Sequence, residues 1–81
     1  MRVISQDGIM DFPYEKSVVF ISPRDMSTVR ILAIGDNDDG MIAKYSTGKK
    51  ALKAMEMLRN EFAEHGESGF FQFPQSDEIE V

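Results

Sequence analysis

The chain has 81 residues, a formal net charge of −5 and no cysteine. That length makes it a single domain, 1–81. The missing thiols exclude disulfides and thiolate zinc sites, and the acidic balance argues against general affinity for nucleic acid or an anionic membrane. A domain this small buries only about 60% of its unfolded surface, so self-association is the stabilising device left open, and a homodimer is the natural candidate.

In chain order, Arg2–Ser5 is a predicted strand, closed by the turn signal Asp7-Gly8. Ile9–Phe12 is its hairpin partner, halted by Pro13. Ser17–Ser22 is the strongest predicted strand, rich in β-branched and aromatic residues and ended by Pro23. It is apolar on both faces, which predicts a central strand. Thr28–Ile34 follows. The run Gly35–Gly40 is a hairpin turn, because several of its residues tolerate positive φ. Met41–Tyr45 then returns antiparallel to the preceding strand.

Ser46 or Thr47 caps a helix predicted over about 47–65. Ala51, Ala54, Met55, Leu58 and Phe62 share one face of it, flanked by Leu52 and Met57. Lys49, Lys53, Glu56, Asn60 and Glu64 occupy the other side, so the helix lies on a sheet. Gly66 is the expected C-terminal stop. Phe70–Phe73 is a final strand ended by Pro74, and the acidic segment 75–81 is expected to fray. Strands, one helix and a last strand imply an α+β fold: a curved antiparallel sheet of four to five strands with the amphipathic helix on one face. Val18, Val19, Phe20 and Ile21 cannot all face one helix. The surplus requires sheet curvature, a partner subunit or a ligand.

The strings Met1-Arg-Val-Ile-Ser-Gln-Asp-Gly8, Asp11-Phe-Pro-Tyr-Glu15, Ile42-Ala-Lys-Tyr-Ser-Thr47, Lys50-Ala-Leu-Lys-Ala-Met-Glu-Met-Leu-Arg59 and Phe71-Gln-Phe-Pro74 resemble an uncharacterised group of small proteins from Gram-positive bacteria and their phages or mobile elements. The resemblance covers roughly half of the chain. It implies a cytoplasmic accessory protein of phage or mobile-element origin and carries no activity with it. Members of that group place acidic residues after the Ser-Thr pair, where Gly48-Lys49 stands here. The stretch Ser22–Gly40 is the variable part.

No complete catalytic, metal or cofactor motif is present. Aligning Gly40 with the invariant glycine of a calcium loop puts Gly35 at the first ligand position and Ser46 at the last, so both anchoring carboxylates are missing. Ser46-Thr-Gly-Lys-Lys50 lacks the upstream glycine and the trailing hydroxyl of a phosphate loop. A strand-to-helix turn of this kind can hold an anion only weakly. His65 has no nucleophile or acid that its spacing nominates, and a helix C-terminus explains a cation there. Asp7, Asp11 and Glu15 belong to turns, with no apolar pocket to shift them.

Two groups remain as candidates. Lys44, Lys49, Lys50 and Lys53 form a basic cluster at the helix N-terminus, against the helix dipole, that offers an anion or partner contact. Phe70, Phe71 and Phe73 offer core packing or a self-interface by strand addition across a dimer; without interleaved cations a base-stacking platform is disfavoured. The expected function is therefore a small non-enzymatic interaction protein without cofactor. The alternative is a nucleic-acid-binding accessory acting through the basic cluster. No apolar run reaches the roughly 20 residues that span a bilayer, and the N-terminal stretch lacks a signal-peptide core, so a cytoplasmic location is expected and a protein partner is favoured over nucleic acid.

Overall fold

The computed structural model describes residues 1–80. Strands β1 (Arg2–Ile4), β2 (Asp11–Pro13), β3 (Ser17–Ile21), β4 (Thr28–Ala33) and β5 (Gly40–Lys44) precede helix α1 (Gly48–His65), and β6 (Phe70–Gln72) follows it. The class is α+β, as the element order implies. The sheet is not the single antiparallel one expected. It is divided into two three-stranded sheets, ordered β2-β1-β6 and β3-β4-β5. The division falls at Pro13, where a short 3₁₀ turn, Tyr14–Lys16, swings the chain out of the β1·β2 ladder. The β1·β6 pair is parallel, which only a long crossover allows. Helix α1 lies within that crossover.

The second correction concerns β3. It pairs with β4 alone, so it is an edge strand and not the central one. Central place belongs to β4, whose Val29 and Ile31 are almost fully buried against α1. The two apolar faces of β3 are real. Val19 and Ile21 lean on the core, while alternation turns Val18 and Phe20 to the opposite face.

Helix α1 forms where the pattern placed it. Thr47 is its cap, its hydroxyl accepting the Lys50 backbone N–H at 3.2 Å. Ala51, Ala54 and Leu58 are wholly buried, and Met55, Met57 and Phe62 pack around them. The small alanines bring the helix close to β4. Gly66, at φ +56°, ends it as expected.

Gln6 joins the two sheets. Its backbone N–H donates to the Ile42 carbonyl at 2.9 Å. Its side-chain amide donates to the Lys44 carbonyl and accepts the Lys44 N–H, both at 3.0 Å, and also donates to the Pro74 carbonyl at 3.0 Å. The side chain thus acts as one more rung of strand on β5. Ile42 is the extra residue of a β-bulge opposite Val29 and Arg30, and its carbonyl is the one that Gln6 takes.

The acidic segment does not fray among the described residues. Residues Ser76–Glu78 form a 3₁₀ turn closed by a capping box between Gln75 and Glu78. Ile79 is buried, and the Ser76 carbonyl accepts Lys50 Nζ at 2.8 Å. One apolar side chain among the acids supplies the anchor that net composition hides. Val81 lies outside the described residues.

Candidate functional site

Backbone geometry defines the first feature. Ser22 N–H donates to the Thr28 carbonyl and Ile34 N–H to the Lys16 carbonyl, both at 2.8 Å. In an antiparallel pair such bonds recur at every second residue. Val18 and Phe20 therefore direct their backbone polar groups at Leu32 and Arg30, their register partners. Val19 and Ile21 direct theirs off the open edge. Ser17 N–H is already taken by the Tyr14 carbonyl. Among the described residues no strand meets Val19 or Ile21 on that side.

This edge is the longest that the two sheets leave open. The edges of β2 and β6 are three residues each, against five for β3, and β5 is covered by Gln6. Edge strands are usually protected by a charge, a proline, a bulge or a covering loop. Ser17–Ile21 contains no charge and no proline, and its ladder with β4 is regular.

The second feature is the sheet face away from α1. Register rows bring Val18 beside Leu32, and Phe20 beside Arg30 and Met41. Val18 is 49% and Met41 50% exposed, so an apolar strip runs from the open edge across the sheet. At one end it deepens into a hollow of about 350 Å³ lined by Phe20, Pro23, Arg24, Arg30 and Asp39. Arg30 is held there by Asp39, with Nε 3.3 Å from Oδ2.

The basic cluster is largely engaged. Lys50 donates to the Ser76 carbonyl, and Lys53 pairs with Glu56 at 3.2 Å. Lys44 lies on β5, close enough to Asp25 to help lower that carboxyl's pKa. Lys49 and Lys53 line a shallow groove along the helix with Leu52, Glu56 and Arg59. The four lysines are thus shared between a sheet strand and a helix flank.

The aromatic triplet is divided as well. Phe71 and Phe73 are buried, their rings edge to face at 5.1 Å, so of the two readings core packing describes them. Phe70 alone stands outside, 66% exposed, on the short β6 edge.

The titrating groups serve the turns. Asp25 accepts the backbone N–H groups of Ser27 and Thr28 and the Thr28 hydroxyl. The Thr28 hydroxyl bond, with the Ser27 amide after it, holds its carboxyl below the ordinary value. Asp7 is lowered in the same way by the Ser5 hydroxyl and the Ile9 amide. The N-terminal amino group lowers Glu15. Burial pushes the Tyr45 hydroxyl far up, and it donates to the Pro74 carbonyl at 2.9 Å. His65 Nε2 lies 3.2 Å from Glu61 Oε2 and 3.8 Å from Glu64 Oε2 at the end of α1.

Sequence reasoning missed Gln6 and the open edge of β3. Nothing in a glutamine before Asp-Gly announces a bridge. The edge had a signal, the uncharged apolar run between Lys16 and Pro23, but apolar side chains on both faces fit a strand with two neighbours as well as one with a single neighbour. No helix among the described residues is long and apolar enough to cross a membrane. Comparison with family models, with curated proteins and with solved structures yields no match.

Proposed function

We propose that the chain is a non-enzymatic interaction protein that binds an extended segment along the open edge of β3. The observation that carries this reading is the unprotected pair Val19 and Ile21, whose backbone groups face outward from an uncharged apolar strand. A segment laid there gains ladder hydrogen bonds, and the strip of Val18, Phe20, Leu32 and Met41 supplies apolar contact beside it. An accessory role in a phage or mobile element rests on the short-string resemblance alone.

Amide hydrogen exchange tests the reading. It is followed by NMR at about 10 µM and about 1 mM protein, and again in extract of the native host. Occupation of the edge slows exchange at Val19 and Ile21 in at least one of these conditions. Fast exchange at both amides in all of them, with Val29 and Ile31 still protected, overturns it. Nucleic-acid binding through Lys44, Lys49, Lys50 and Lys53 predicts instead an affinity that falls steeply with salt.

A further inference from the structure

We infer that the occupant of the β3 edge is β3 of a second copy, paired antiparallel about a two-fold axis through Val19. This rests on the interaction reading above and adds the identity and register of the partner.

The free backbone groups of β3 set the geometry. Only odd-numbered residues of β3 face outward, so the second strand must oppose odd residues to odd. Two closed registers use both Val19 and Ile21 well. In the first, Val19 meets Val19 of the copy in a reciprocal hydrogen-bonded pair, and each Ile21 N–H reaches the Ser17 carbonyl of the other copy. The committed Ser17 N–H is not needed. In the second, the axis passes through Phe20, and each Val19 exchanges bonds with Ile21 of the copy. The two registers form the same complement of bonds, so side chains decide.

With the axis at Phe20, Val18 falls opposite the polar Ser22 of the copy, twice, and gains no apolar cover. The axis at Val19 changes that. Val18 then faces Phe20 of the copy, twice, an aromatic and β-branched pair in the closely spaced position. The half-exposed Val18 gains the cover it lacks in one chain. Opposed residues share a face, so the outer strips of both copies join and both helices lie on the other side. The pairing closes on itself and leaves β5, already covered by Gln6, at each end of a continuous sheet.

Charge also separates a second copy from another partner. Each chain carries −5, so two copies repel at long range, and added salt screens that repulsion. A basic partner at the same edge shows the opposite dependence.

Sedimentation equilibrium on the whole chain from about 1 µM to about 1 mM gives the first test. The inference expects a monomer–dimer equilibrium that tightens as salt is raised. Val19→Pro, which removes an outward N–H and leaves the β3·β4 ladder intact, weakens it at least tenfold. Disulfide trapping supplies a test that does not depend on Pro being tolerated, since the chain has no cysteine of its own. Val19→Cys cross-links to itself on oxidation. Val18→Cys and Phe20→Cys cross-link when mixed with each other and not when alone. Self-linking of Phe20→Cys in place of Val19→Cys overturns the register. A monomer at all concentrations and salts overturns the second copy. If Val19 and Ile21 are nonetheless protected in host extract, the edge still binds and only the partner assigned here is wrong.

Discussion

At the scale of single residues, Gly48 shows how one position joins distant parts of the chain. A Cβ built there lies 3.0 Å from the Met26 carbonyl oxygen, and Met26 holds an unusual φ of 60°. The β3–β4 loop thus rests on the first turn of α1, and only glycine leaves room for it. Alanine in a first helical turn is ordinarily favourable over glycine. Here Gly48→Ala is expected to cost about 1 kcal/mol, measured by chemical denaturation. Met26→Gly in the same chain, which frees the loop backbone, is expected to restore most of it.

The carboxylates act at the same scale. Asp7 and Asp25 have folded pKa values below the ordinary 3.8 because hydroxyl and amide donors favour their charged forms. A group lowered on folding contributes stability above its unfolded pKa and loses it as pH falls through the folded value. The melting temperature should therefore hold down to about pH 4 and fall below it. In Asp7→Asn/Asp25→Asn that fall should be shallower, as followed by circular dichroism between pH 7 and pH 2. An unchanged slope would mean that the turns do not depend on the charge.

Elements depend on how these residues are joined. Gln6 uses both its backbone N–H and its side-chain amide to hold β1, β5 and the Pro74 carbonyl together. Its own carbonyl accepts Gln75 Nε2 at 2.8 Å. Gln6→Glu keeps an acceptor for the Lys44 N–H but sets a carboxylate against two carbonyls. The expected cost at neutral pH is about 2–3 kcal/mol in a urea melt, part of it recovered in acid, where the protonated side chain donates again. Ile79 is the matching anchor at the other end. It is 4% exposed, and Ile79→Ala should cost about 2–4 kcal/mol by the same measurement. A change below 0.5 kcal/mol would show that residues 76–80 rest on the surface without stabilising it.

What the sequence discloses at this level follows from range. Helix α1, its Thr47 cap and the Gly66 stop are local, and spacing alone places them. The β4·β5 hairpin is local too, since turn chemistry fixes it. The partition into two sheets depends on which strand meets β1 after the helix, and no pattern within Phe70–Gln72 specifies Val3 as the partner of Phe71. The aromatic triplet left two readings open for a related reason. Alternation shows that Phe71 points away from Phe70, but not which of the two faces inward. Lys50 is legible as a cation, while its carbonyl partner 26 residues away is not.

For the whole molecule, an unpaired face and an unpaired edge meet at β3. Proline scanning separates its two edges in a single chain. Phe20→Pro removes a ladder donor toward Arg30 and should destabilise by about 3 kcal/mol or more. Val19→Pro removes only an outward donor and should cost at least 2 kcal/mol less, read from paired denaturation curves. Equal costs would mean that the outward donor is bonded as well, within one chain or across two copies. The acidic charge of −5 works against uncontrolled edge-to-edge growth, because each added copy brings the same sign.

The β1·β6 pairing has a consequence for synthesis on the ribosome. Val3 waits for Phe71, and Gln6 waits for Pro74, so the first strand to emerge is completed by one of the last. The β3-β4-β5 meander needs no such delay and is free to assemble early. A nascent chain thus displays a finished sheet, open at β3, before its own helix and β6 arrive to bury the inner face. Neighbouring nascent chains on one messenger would meet through that edge while still tethered, so pairing between copies can begin before either chain is released.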